Sequence, residues 1–212
     1  MNQKVIIFDF DGTIADTVDA LVSIANRLAV NFGYIQITPE ELKLLRNLSS
    51  REIISYSGIS VFKIPFLVKR VKGELKNKIH ELKPIAGIQE ALVALKNEGY
   101  RLGIITSNSK DNVKEFLKVN ALEDLFEFIY SGVTIFGKTT IINNVLRQKQ
   151  IKVDDVIYVG DETRDIDSSK KANIKVIAVT WGFNSEEALS QKHPDFLIHS
   201  PHQLLSVIKK NF

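Results

Sequence analysis

Apolar positions along this chain follow two rhythms. Val5-Ile6-Ile7-Phe8 is a continuous apolar run, the pattern of a strand covered on both faces. Val18, Leu21, Val22, Ala25, Leu28, Ala29 and Phe32 then recur at helical spacing, and Gly33 suits the stop. Thr38-Pro39-Glu40-Glu41 predicts another helix start, with Thr as cap, Pro in the first turn and Glu three residues on. Leu67, Val71, Leu75, Ile79 and Leu82 predict a long amphipathic helix ending before Pro84. Nothing between Thr17 and Lys83 has the pattern of a strand.

From Pro84 the two rhythms alternate. Strands are predicted at Leu102–Thr106, Phe128–Tyr130, Val156–Val159, Val176–Val179 and Phe196–Ile198. Before, between and after them lie helices marked by Ile88 to Leu95, Asn112–Val119, Thr140–Gln148, Asp165–Ala172, a short helix, and Pro201–Lys210. Such alternation predicts an α/β fold, a Rossmann-like parallel sheet with helices on both faces. The helical stretch after the first strand reads as a small all-helical insert. The expected domains are residues 1–16 with 84–212 as the α/β core, and residues 17–83 as the insert.

Composition narrows the class. The 212 residues, 44% apolar and 25% charged, are ordinary for a soluble globular protein. No apolar stretch approaches the roughly 20 residues that span a bilayer. The run after Met1-Asn2-Gln3-Lys4 is too short for a signal peptide and is better used as a strand. With no cysteine there are no disulfides or thiolate metal sites, and a cytoplasmic location fits. Charge is uneven: residues 17–83 hold 11 Lys and Arg against 6 Asp and Glu. A solvated helical face explains this better than nucleic-acid binding, since few aromatic residues lie among the lysines to stack bases.

The candidate chemistry collects at strand ends. The first strand runs into Asp9-Phe10-Asp11-Gly12-Thr13, the second into Thr106-Ser107-Asn108, and Val156–Val159 into Gly160-Asp161-Glu162. Carboxylates at positions i and i+2 of an extended segment share a direction, and burying two of them demands a cation. In a parallel sheet all these ends share one edge, where open α/β sheets bind ligands. Lys138 stands beyond the third strand, at a helix start. Carboxylates, a hydroxyl and a lysine suit a hard divalent cation beside a phosphate. His80, His193, His199 and His202 fall away from these motifs, so zinc and histidine-nucleophile chemistry are poorly supported.

D-F-D-G-T, the hydroxyl after the second strand, the lysine and G-D-E-T-R-D together resemble the haloacid dehalogenase-type phosphohydrolases, in particular the phosphoglycolate phosphatase-like group. The resemblance covers nearly the whole chain and makes the insert a cap. It implies Asp9 as nucleophile, Asp11 as general acid and base, and Thr106 and Lys138 as phosphate ligands. Ser107 and Asn108 are rivals of Thr106, though Ser107 should point to the opposite face. Mg²⁺ would be held by Asp9, the backbone carbonyl of Asp11 and Asp161, with Asp165 supporting. Many relatives have proline after this lysine, whereas Thr139-Thr140 follow it here. The implied substrate is a small phosphorylated metabolite, phosphoglycolate being the best guess, with no nucleic acid and no membrane, in a monomer or homodimer. The second Asp favours phosphoryl chemistry over dehalogenation, because a halide needs no proton to leave. Phosphomutase and inorganic pyrophosphatase activities would use the same core residues.

Other readings stay beside this one. Asp161 and Asp165 also suit the cap of the following helix, although the pair reads better as a metal site. Arg46, Ser49, Ser50 and Arg51 either face the substrate or belong to an exposed helix. Trp181-Gly182-Phe183 either line the site or form a packed turn. Residues 132–139 match G-x-x-x-x-G-K-T, a P-loop in which Thr139 would hold the metal. That loop has a bulky Val-Thr-Ile-Phe interior and leaves Asp9, Asp11 and Thr106 without a role.

Overall fold

A computed structural model describes residues 4–131 and 137–212. Six strands, β1 (Val5–Phe8), β2 (Arg101–Ile105), β3 (Phe126–Tyr130), β4 (Val156–Gly160), β5 (Lys175–Val179) and β6 (Phe196–Ile198), form one parallel sheet in the order β3-β2-β1-β4-β5-β6. The chain moves outward from β1 to β3 and then crosses back to place β4 on the other side of β1. This is the point where strand order reverses, and it opens a crevice beyond the carboxyl ends of β1 and β4.

Alternate residues of β1 divide the core. Ile6 and Phe8 pack with α5 (Ile88–Asn97), α6 (Lys110–Val119) and α10 (Gln203–Asn211), through Leu92, Phe116 and Ile208 among others. Val5 and Ile7 face the other layer, with α7 (Lys138–Gln148) and α8 (Thr163–Lys171). A fifth crossover carries the short α9 (Glu186–Ser190). Burial on both faces explains why β1 reads as an unbroken apolar run. Each fully buried Ile or Phe here contributes on the order of 1.5–3 kcal/mol.

Between β1 and α5 the described residues carry α1 (Val18–Phe32), α2 (Pro39–Leu45), α3 (Ser50–Ser57) and α4 (Ile64–Lys76), and no strand of the sheet. Gly33 ends α1 in the left-handed conformation, and Thr38 with Glu41 forms the capping box its spacing predicts. The chain leaves and re-enters the core at adjacent points: the Asp16 N–H donates to the Lys83 carbonyl at 3.0 Å, and the Ile85 N–H to Ile14 at 2.9 Å.

One expectation needs correction. α4 ends at Lys76 rather than before Pro84. The Asn77 and Lys78 N–H groups bond three residues back, to Glu74 and Leu75, which tightens and stops the helix. Ile79 keeps the apolar spacing because it packs into the main core, while Leu75 packs with α1. The exposed helix considered at Ser49 to Arg51 is α3, with Ser49 and Glu52 as its capping box and Gly58 as its stop. No helix among the described residues is long and apolar enough to cross a membrane.

Candidate active site

Asp9 follows β1 directly, with its N–H held by the Val159 carbonyl at 2.8 Å. The turn after it closes on Phe10, whose carbonyl accepts from the Ile14 and Ala15 N–H groups at 3.0 Å each. Gly12 has a positive φ of 74°, and a Cβ there would run into the Asp161 carboxylate. Gly182 is held by the same constraint from the other side. The turn delivers Thr13, whose hydroxyl donates to Asp161 Oδ1 at 2.7 Å, while the Phe183 N–H donates to Oδ2 at 2.7 Å.

Lys138, the first residue of α7, lies between two of these acids. Its Nζ is 3.0 Å from Asp9 Oδ2 and also donates to Asp165 Oδ1. Asp165 sits in the first turn of α8, where its Oδ2 accepts from the Glu162 N–H at 3.0 Å. Asp165 therefore caps the helix and at the same time belongs to the acidic cluster. Burial alone would lower the pKa of Lys138, but Asp165 and Asp9 outweigh it and hold the ammonium charged.

Asp9, Asp161 and Asp165, all buried, each offer an oxygen within 4.8 Å of the others. Six oxygens at about 2.1 Å around Mg²⁺ lie up to roughly 4.2 Å apart, so the set needs only a slight contraction to hold such an ion. Its electrostatics call for one. Burial first, and then the charges of Glu162, Asp9 and Asp165, push the Asp161 carboxyl well above the usual carboxylate range. Burial and the neighbouring acids keep the Asp165 pKa raised to about 6, although Lys138 and Arg164 both pull it down. The donors are all carboxylate oxygens, which favour Mg²⁺ over softer metals.

Asp11 is not one of these three acids and lines a cavity of about 320 Å³. Asn108 Nδ2 donates to its Oδ1 and Oδ2 at 3.0 and 3.1 Å. Burial, and next the charge of Asp9, raise its pKa to about 7, against the pull of Asn108, Thr17 and Arg164. Thr106 is buried at the end of β2, and its Oγ1 accepts from the Asn108 N–H at 3.0 Å, which leaves its proton to donate. Asn108, the rival of Thr106, touches Asp11. Ser107 is half-buried, and its hydroxyl finds no partner among the described residues.

The cavity's walls come from both halves of the chain. Leu21, Val22, Ile53 and Ile54 line it from the inserted helices, and Asp161, Glu162, Arg164 and Phe183 from the core. Arg46 Nη2 donates to the Gly182 carbonyl at 2.8 Å, so this guanidinium joins the insert to the turn after β5. Asn184 Nδ2 adds bonds to the Arg46 and Leu48 carbonyls at 2.9 and 3.0 Å. Ser49 caps α3, Ser50 donates to Glu162 at 3.4 Å, and Arg51 is exposed. Trp181 donates its indole N–H to the Thr13 carbonyl at 3.2 Å, and Phe183 alone of that trio lines the cavity.

Thr13 and Arg164 carry no signal of their own in the sequence, although they lie inside D-F-D-G-T and G-D-E-T-R-D. Arg164 pairs with Glu162 at 2.5 Å and lines the cavity, while its buried Nε has no partner. The P-loop alternative falls partly on residues 132–136, outside the described residues. Its lysine is the one between Asp9 and Asp165, whereas Thr139 lies in a separate groove with Ser49, Arg51 and Lys171.

Comparison with known proteins agrees with this arrangement. Residues 6–179 match the model of the haloacid dehalogenase-like hydrolases. A phosphoglycolate phosphatase of Synechococcus elongatus is 35% identical, over 97% of each chain. The pyrophosphatase PpaX of Listeria monocytogenes is 24% identical, covering 96% of this chain and 95% of its own. A solved haloacid dehalogenase-like hydrolase from Streptococcus pneumoniae shares the fold with a TM-score of 0.81 at 23% identity, over 97% of this chain and 98% of that one. The chain belongs to the haloacid dehalogenase-like hydrolase family.

Proposed function

We propose that this protein is a phosphatase that hydrolyses a small phosphomonoester of the phosphoglycolate type through an aspartyl-phosphate on Asp9. The observation that supports the reading is Lys138 lodged between Asp9 and Asp165 at the mouth of β1, an ammonium 3.0 Å from the proposed nucleophile. The 35% identical phosphoglycolate phosphatase supports the substrate class. The inserted residues 17–83 act as a cap over the site, and the protein works in the cytoplasm as a monomer or homodimer.

In this mechanism Asp9 attacks phosphorus in line, forming a P–O bond as the bond to the leaving oxygen breaks. Asp11 gives its proton to that oxygen; a pKa raised to about 7 lets it hold one at neutral pH. As a carboxylate it then takes a proton from water, which attacks phosphorus, releases phosphate and restores Asp9. The Lys138 ammonium and the Thr106 hydroxyl bind phosphoryl oxygens and stabilise their charge. Asp9, Asp161, Asp165 and the Asp11 backbone carbonyl would hold Mg²⁺. Bound there, the ion offsets the repulsion between an anionic carboxylate and an anionic phosphate.

The test is a panel of small phosphoesters and pyrophosphate with Mg²⁺, scored for released phosphate. Release from phosphoglycolate, abolished by chelator and not restored by Ca²⁺, supports the reading. Preference for pyrophosphate, or transfer between sugar phosphate positions without release, would replace it. Full activity in excess chelator would contradict it.

A further inference from the structure

Asp11 has to present its carboxyl to a leaving oxygen, and the hydrogen bonds behind it trace how it is aimed. Asn108 gives its Nδ2 to both carboxylate oxygens of Asp11. Rotated half a turn about its last bond, the same amide would set its carbonyl oxygen against Asp11 and repel it. Two donors prevent that rotation. Asn108 Oδ1 accepts from the Ser109 N–H at 2.8 Å and from Asn112 Nδ2 at 3.0 Å.

Asn112 lies in the first turn of α6, on the face that also buries Val113 and Phe116, and is itself only 1% exposed. The other hydrogen of its Nδ2 goes to the Lys72 carbonyl in α4, at 3.1 Å. One buried amide nitrogen therefore uses both its hydrogens, one on Asn108 and one on the backbone of the inserted helices. Buried polar side chains are costly unless paired. An aliphatic residue like its neighbour Val113 would fill this place without that demand.

We propose that Asn112 is a positioning residue for phosphoryl transfer: it locks the Asn108 amide so that Asn108 aims the Asp11 carboxyl, and it takes its own orientation from the Lys72 carbonyl. The inference rests on the reading of Asp11 as general acid. The competing role is a structural pin between α4 and α6, with no bearing on proton transfer. The two roles differ in their dependence on the leaving group. An alkoxide needs a proton to depart, whereas p-nitrophenolate departs without one.

The experiment compares kcat/KM for 2-phosphoglycolate and for p-nitrophenyl phosphate in the wild-type protein, Asn112→Asp and Asn112→Ala. In Asn112→Asp a carboxylate faces Asn108 Oδ1 and the Lys72 carbonyl, so the Asn108 amide turns away from Asp11. Activity on 2-phosphoglycolate should fall about ten- to a hundredfold, while p-nitrophenyl phosphate stays within about threefold, because only the first needs the acid. Asn112→Ala removes the donor without adding repulsion and should show the same selectivity at smaller size; it also serves if Asn112→Asp fails to fold. An equal fall on both esters, or no fall on either, would overturn the relay while leaving the phosphatase reading intact. A wild-type protein inert toward both esters would overturn the phosphatase reading, and the relay with it.

Discussion

The carboxyl edge of the sheet and the helices inserted above it use their side chains in opposite ways. At the sheet edge, Asp9, Asp161, Asp165 and Lys138 are buried and tied to one another or to backbone. Above it, α1 to α4 bury few residues completely, chiefly Ile24, Leu28, Leu45 and Leu75, and leave Val30, Leu44, Tyr56 and Phe66 mostly exposed. The polar edge is held rigidly by partners whose removal leaves buried charge. The inserted helices meet it through a handful of side chain to backbone bonds, such as those of Arg46, Asn112 and Asn184. Under the proposed function this contrast is a division of labour, the sheet edge performing the chemistry and the insert deciding what reaches it.

That division can be broken first at the edge. Asp9→Asn is nearly isosteric and should leave a folded protein with activity lowered by more than about a thousandfold. Retention of a substantial rate in a phosphate-release assay would remove Asp9 from its role. Lys138→Met keeps the aliphatic stem and deletes the charge; it should cost about a hundredfold in kcat, or roughly 3 kcal/mol of transition-state stabilisation. Thr139→Ala, in the neighbouring groove, should stay within about twofold of wild type. Equal damage from both would favour the P-loop assignment of residues 132–139.

The acidic edge also sets how stability depends on pH. The pKa of Asp11 is raised from 3.8 to about 7 and that of Asp165 to about 6, burial being the first cause in each. Between these values and the unfolded ones the native state binds more protons, so the metal-free protein should gain stability as pH falls through that window. Mg²⁺ competes with those protons. It should raise the melting temperature more at about pH 8 than at about pH 5.5. A larger Mg²⁺ effect at the lower pH would contradict the placement of the ion among these acids. The smallest effect is expected from the insert. Ile53→Phe fills part of the cavity and should raise KM several-fold while kcat stays within about twofold. A collapse of kcat instead would mean that the insert takes part in the chemistry.

Legibility in the sequence follows the same divide. Strand ends in a parallel sheet must converge, so Asp9, Thr106 and Asp161 could be grouped before any coordinates were known. The unbroken run at Val5–Phe8 announced a central strand for the same physical reason that it is buried on both faces. The insert was harder to read. Its apolar spacing continues through Ile79 although α4 stops at Lys76, because Ile79 serves a different core. Thr13, Asn112 and Arg164 went unassigned because their roles depend on partners about 40 to 150 residues away, namely Lys72 and Asp161, or on facing a cavity. Spacing along a chain carries no trace of such contacts.

The central claim is a covalent phosphoryl group on Asp9, and trapping it is the most direct measurement. Protein quenched during turnover with Mg²⁺ and substrate, then reduced with borohydride and analysed by peptide mass spectrometry, should show the aspartate-to-homoserine conversion at position 9. The signal should be absent without substrate and in Asp9→Asn. Steady phosphate release with no modification at Asp9, or with the phosphoryl group on another side chain, would contradict the account.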